Sequence, residues 1–180
     1  MTNPNQFLLL TEKKFLPLFI TQFLGAFHDN LYKNALVVLI IYHLATQLGY
    51  SEQTQQLLTT MAAGVLILPF FLFSAMGGQL ADKFPKQRVM QGVKMFEIGI
   101  AVMGSMSLFT AWLPLCYLTI FALGTHSAIF APSKYSILPQ HLDQKELIGG
   151  NALLNTGTFL AILLGTIIGT VAMGVDAGVY

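Results

Sequence analysis

Residues 15–45 read Phe15-Leu-Pro-Leu-Phe-Ile-Thr-Gln22-Phe-Leu-Gly25-Ala-Phe-His28-Asp29-Asn30-Leu-Tyr-Lys33-Asn34-Ala-Leu-Val-Val-Leu-Ile-Ile-Tyr-His-Leu-Ala45. Apolar side chains fill both ends, and a polar strip interrupts the middle. At about 1.5 Å of rise per residue this stretch makes roughly 45 Å of helix. The hydrocarbon core of a bilayer is about 30 Å thick, so the segment can cross it. Asp29 then falls close to the midpoint. A carboxylate there costs about 2.5–3.5 kcal/mol on insertion scales, which makes it a functional candidate by default.

Composition supports the same reading. Of 180 residues, 54% are hydrophobic and 9% are charged, against about 25% charged in soluble domains. A net charge of +1 says nothing about nucleic acid, and no nucleic-acid partner is expected; the placement of the charges is what informs. Cys116 is the sole cysteine, which excludes an intrachain disulfide or a thiolate cluster. The histidines, His28, His43, His126 and His141, lack HxxxH or HExxH spacing, so no metal site is read. No cofactor motif is present either. Lys13 and Lys14 ahead of Phe15–Ala26 resemble a signal-peptide start, but no small-x-small cleavage signal follows and the apolar run resumes at Ala35.

Working outward, four more apolar stretches follow, at 57–80, 89–112, 114–135 and 148–173. The expected fold is therefore all-α, a polytopic membrane bundle of five helices over 15–173. Residues 1–14 form an N-terminal segment, and 174–180 an external end that reads as truncated. The basic residues set the orientation. Lys13, Lys14, Lys83, Lys86, Arg88, Lys94, Lys134 and Lys145 cluster before the first stretch and around the second-to-third and fourth-to-fifth connections. None lies in 46–56 or 111–114, so the positive-inside rule places the basic connections in the cytoplasm. Lys134 should snorkel to the cytoplasmic headgroups. Lys33 is the exception, inside a span.

The second-to-third connection carries Gly78-Gln-Leu-Ala-Asp82-Lys83-Phe-Pro-Lys86-Gln-Arg88. Glycine at 78 is expected to let helix ends approach. Asp82 can bond a neighbouring helix end or basic residue, and Lys83, Lys86 and Arg88 anchor the loop at the anionic leaflet. In residue order and location the run resembles the loop motif of the major facilitator superfamily, roughly G-x-L-a-D-r-x-G-r-k, with Pro85 in place of a glycine. The resemblance implies a gating loop; a loop that only orients the chain is the plainer alternative.

Three further stretches resemble a narrower group, the lysophospholipid transporters of that superfamily. They are Gln22 to Asn34, Gly124-Thr-His126 through Pro132-Ser-Lys134-Tyr135 to Pro139, and Gly150-Asn through Asn155 to Gly165. The resemblance covers nearly the whole chain. It is closest to the form fused to acyltransferase and acyl-activating domains, although no His-x4-Asp signature or phosphate loop occurs here. Asn155 stands where an acidic residue is expected. The resemblance implies the first five helices of a six-helix N-terminal half, with substrate bound at the midplane against a second half. It implies flipping of lysophospholipids or another amphiphile, notably the ethanolamine type, across the bacterial inner membrane. The partners would be membrane lipids and the C-terminal half of the transporter. A facilitator for a small solute or drug, the front of a bifunctional acyltransferase, and an inactive fragment are the competing readings.

Asp29 and Lys33 are one turn apart and can pair. Alternatively, Lys33 meets a lipid phosphate while Asp29 exchanges a cation or proton. Gln22, Asn30 and Asn34 add neutral groups suited to phosphate or glycerol oxygens. His126 shares the depth of Asp29, either for substrate or bonded to a backbone carbonyl. Glu97 reads as an intrahelical partner of Lys94 near the interface. Gly157, Ala161, Gly165 and Gly169 form a small-residue ridge, and Gly124, Ala128 and Pro132 a second one, both fit for close helix packing.

Overall fold

The structure, a computed structural model, describes residues 6–44 and 48–176; the side chains of residues 42–44, 86, 133–136 and 175–176 fall outside that description. The expectations for the side chains of Lys86 and Lys134, and for the chain beyond Asp176, lie outside the described residues. The architecture is all-α, and no strand occurs among the described residues. A short 3-10 turn, Gln6–Thr11, leads into α1, Leu16–Val38, whose ladder widens into a π-helical segment at Leu39–Leu44. There follow α2 (Glu52–Lys83), α3 (Lys86–Thr110), α4 (Leu113–His141) and α5 (Leu147–Asp176).

Local chemistry explains the boundaries. Pro17 and Pro114 sit in first turns, where a missing N–H costs nothing. The Ser51 hydroxyl accepts from the Thr54 N–H at 3.3 Å and caps α2. Ala111, at φ 51°, ends α3 in a left-handed residue and turns the chain directly into α4. At α5 the Asp143 N–H donates to Glu146 Oε2 at 3.0 Å, half of a capping box. Most helices outrun the apolar stretches that announce them. α4 in particular continues through Pro132 and Pro139 to His141, beyond the expected end at 135.

By length and composition, α2 to α5 can each cross a bilayer. The helix α1 falls short of the same measure because its polar strip dilutes the apolar residues. The outer faces are apolar, with Phe71 82% and Phe109 92% exposed, as lipid-facing side chains require.

Two glycine-lined seams stand out in the bundle, and α3 packs along α4 beside them. α1 lies along α5, and α2 along α4. In the first, the small-residue ridge meets α1 directly: Gly157 faces the Phe19 ring, Gly165 the Phe27 carbonyl and Gly169 the Leu31 carbonyl. A Cβ at any of the three would collide. In the second, Gly124 abuts the Leu66 carbonyl and Pro69 of α2. Gly77, not Gly78, makes the close approach there; its Cβ would lie 2.9 Å from the Ala128 carbonyl oxygen, whereas one at Gly78 would meet nothing within 4 Å. The expectation for Gly78 is therefore corrected by one residue, because Gly77 is the position that faces α4. The Tyr32 hydroxyl and Ser107 Oγ hydrogen-bond at 2.6 Å across α1 and α3.

Candidate functional site

A cavity of about 310 Å³ opens between α1, α2, α4 and α5, with Lys94 of α3 reaching into it. That volume lies at the small end of ligand pockets. Its polar wall is Gln22, Asp29, Asn30, Lys33, Lys94, His126, Ser127 and Thr158; Leu66, Phe70, Leu123, Phe130 and Ile162 supply apolar surface. Half of these polar groups come from α1 and the rest from α3, α4 and α5, with aliphatic and aromatic side chains beside them, an arrangement suited to an amphiphile with a charged head.

Asp29 and Lys33 both line the cavity but do not pair with each other. Lys33 Nζ donates to Asn30 Oδ1 at 3.1 Å. The Asp29 carboxylate instead lies 3.7 Å from His28 Nδ1 and 4.0 Å from His126 Nδ1. Ser127 Oγ donates to its second oxygen at 3.4 Å. Of the two alternatives, the intrahelical pair that helical spacing allows is not made, since neighbours on α4 compete for the carboxylate. Lys33 is left facing the cavity with a neutral partner.

The other expected residues divide. Gln22 lines the cavity and ties α1 to α5, donating to Thr158 Oγ1 at 3.3 Å. Asn30 lines it while its amide donates to the Ala26 carbonyl at 2.8 Å. Asn34 does not line it. Its amide donates to the Asn30 carbonyl at 2.7 Å and to Thr166 Oγ1 at 3.1 Å, so it secures the α1–α5 seam. His126 is 2% exposed, and neither ring nitrogen has a hydrogen-bond partner among the described residues. The alternative of a bond to a backbone carbonyl is therefore not realised.

Lys94 and Glu97 do pair, as helical spacing suggests. Their surroundings differ from those expected at an interface. Glu97 Oε2 lies 3.4 Å from His126 Nε2, and the ligand-type atoms of His28, Asp29 and Glu97 lie within 4.8 Å of one another. No linear spacing reveals this cluster, because it joins α1, α3 and α4. Lys94 supplies one positive charge, on Glu97, against the two carboxylates of Glu97 and Asp29. Lys94 was missed as a cavity residue for the same reason; its approach depends on Gly25 of α1, across a helix boundary.

The loop motif lies apart from this cavity. α2 runs on through Asp82 to Lys83, and Pro85 starts α3, its carbonyl accepting from the Arg88 N–H at 2.8 Å. Asp82, Lys83 and Arg88 are exposed. At the same end of α1 and α5, Lys14 Nζ donates to Glu146 Oε2 at 2.8 Å. Each raises the other's charged population: the Glu146 hydrogen bond raises the Lys14 pKa, and the Lys14 hydrogen bond lowers that of Glu146.

Comparison with known proteins agrees with this architecture. Residues 18–177 match the family model of the Major Facilitator Superfamily. The chain is 32% identical over 150 residues to the lysophospholipid transporter LplT of Photorhabdus laumondii, covering 83% of this chain and 34% of that protein. It is 34% identical over 167 residues to LplT of Enterobacter sp. (88% and 38%) and 35% identical over 152 residues to LplT of Escherichia fergusonii (84% and 34%). The chain thus spans little more than a third of the length of these relatives. No solved structure matches. A five-helix bundle with glycine seams and a polar cavity, matched over residues 18–177, makes this chain a member of the Major Facilitator Superfamily.

Proposed function

We propose that this chain is the N-terminal part of a lysophospholipid transporter of the bacterial inner membrane, with α1 also spanning the bilayer. The supporting observation is the cavity in which Lys33, Asp29 and Asn30 face apolar walls. Among the described residues Lys33 has only a neutral partner, so its ammonium is available to a lipid phosphate. Asp29 faces the same space and suits the amine of an ethanolamine headgroup. The apolar side chains from α2 and α4 accept the start of the acyl chain. The relatives bear the name of lysophospholipid transporters, which supports the substrate class. No step is covalent; the chain binds and moves an intact lipid.

In this reading α1 to α5 form one wall of a midplane site, and a second set of helices, as in the longer relatives, closes the other. The basic loop around Lys83, Lys86 and Arg88 faces the cytoplasm and gates that side together with Asp82. The test is uptake of labelled lysophosphatidylethanolamine by vesicles containing the intact protein. Saturable uptake, lost in Asp29→Asn and Lys33→Gln at normal membrane levels, is expected. Uptake of a small polar solute that lysolipid fails to compete would replace this reading with a solute facilitator.

A further inference from the structure

We infer that Lys94 is a second ligand for the substrate's anionic phosphate, held in reserve on Glu97, and that His126 takes its place on Glu97 by gaining a proton when it leaves. This rests on the lysophospholipid reading of the cavity and adds a residue and a linked proton to it.

Lys94 belongs to α3, yet its ammonium reaches the cavity through a notch in α1. The notch is Gly25: a Cβ there would stand 2.9 Å from Lys94 Nζ. Lys94 lines the central cavity and also a groove of about 400 Å³ between α1 and α3. Its Nζ lies 4.9 Å from the centre of the Phe130 ring and 3.5 Å from the Thr21 carbonyl oxygen. A long side chain with partners on both sides of a helix can shift between them by rotamer change alone.

Glu97 sits between two cationic candidates, Lys94 and His126. The charged and titratable groups facing His126 are Asp29, with His28 behind it, from α1, and Glu97 with Lys94 from α3. Lys33 also lines the cavity, while Leu66 and Phe70 of α2 and Ile162 of α5 face it without charge. Both His126 nitrogens are buried and without a hydrogen-bond partner among the described residues, and a carboxylate lies beyond each. A neutral imidazole carries one N–H; an imidazolium carries two. The protonated ring therefore donates to Glu97 from Nε2 and to Asp29 from Nδ1 after a small approach.

Buried charges persist only when paired. A phosphate that draws Lys94 away strips Glu97 of its partner. The balance is restored by one proton from solution, bound at His126, with no covalent change elsewhere. Binding of the anionic headgroup and of the proton then favour each other, as linkage requires.

The test is calorimetric titration of the intact protein in detergent with lysophosphatidylethanolamine, near neutral pH, in buffers of different ionisation enthalpy. The wild type should show a heat that varies with buffer, corresponding to net proton uptake. His126→Gln should bind with buffer-independent heat. Lys94→Gln should bind about tenfold more weakly, and Gly25→Ala, which pushes the ammonium back, should weaken binding in the same direction. Nitrogen NMR gives the same answer, as an imidazolium signal that grows on adding lipid and is missing in His126→Gln. Wild-type binding with buffer-independent heat and no imidazolium signal overturns the proton exchange while leaving the transporter reading intact. Proton uptake that survives in His126→Gln also overturns it. Absence of any lysophospholipid binding by the wild type overturns the transporter reading, and this inference with it.

Discussion

Asp29 and Lys33 stand one helical turn apart on α1 and face the same cavity, yet each has another partner: Lys33 Nζ holds Asn30 Oδ1 at 3.1 Å, and Asp29 faces His28 and His126 at 3.7 and 4.0 Å. Two charges that could neutralise each other are kept apart, which is the arrangement a zwitterionic headgroup needs. Asp29→Asn and Lys33→Gln should each lower lysolipid uptake by about tenfold or more, the worth of one charge-assisted hydrogen bond. The double variant separates the roles. A purely structural pair predicts recovery when both charges go; the observed separation predicts continued inactivity at normal membrane levels. Recovered uptake in the double variant would sink the assignment.

The Lys14–Glu146 ion pair fastens the segment before α1 to the start of α5. The Glu146 pKa is lowered, so its contribution is present above the ordinary carboxylate value of 4.5 and lost as pH falls through the lowered one. The Lys14 pKa is raised, so its contribution is present below 10.5 and lost as pH rises through the raised value. The clasp is thus closed between those limits and opens in acid. Spin labels flanking the pair, on Lys13 and Lys145, should report a short distance at neutral pH that broadens in acid. Glu146→Gln should show the broad distribution at both pH values.

Gly165 has no room for a side chain, because the Phe27 carbonyl and the Leu31 N–H of α1 occupy the place of its Cβ. Gly165→Val should therefore force α1 and α5 apart and destabilise the protein by about 1–3 kcal/mol, the usual range for overpacking. Gly78→Ala, where a Cβ meets nothing within 4 Å, is the matched control. Thermal unfolding in detergent should show a lower midpoint for the first and little change for the second. Equal losses would contradict the seam.

Membrane orientation is tested with single cysteines in a Cys116→Ala background. Cys116 is buried, so its removal should leave the surface unchanged. Positions 53 and 112 should label with an impermeant reagent in intact cells, whereas 83 and 88 should label only after permeabilisation. The basis is the confinement of basic residues to one set of connections. Labelling of position 88 in intact cells would reverse the topology.

Much of the fold was legible before any coordinates. Long apolar runs give helices because a chain in lipid must satisfy its own backbone hydrogen bonds. The ridge at Gly157, Ala161, Gly165 and Gly169 announces close packing, and Asp29 and Lys33 stand out by their cost in an apolar segment. Which helix meets the ridge could not be read from it: only the assembled bundle selects α1 as its partner. The same holds for Gly77 rather than Gly78, since adjacent glycines look alike until one is turned toward α4.

At the candidate site, linear spacing exposed residues that share a helix face and was blind to those that meet across helices. It allowed Asp29 to pair with Lys33, beside separate roles for each toward a substrate, and set Lys94 and Glu97 at an interface. In the structure His126 of α4 and Glu97 of α3 converge on Asp29 of α1, and Gly25 opens the path by which Lys94 joins them. By itself the sequence determined the all-α membrane architecture, its family resemblance and the polar strip of α1, because hydropathy and helical period are local properties. Only the tertiary structure decided which charges are partners, because electrostatic pairing depends on distances of a few ångströms between segments far apart in the chain.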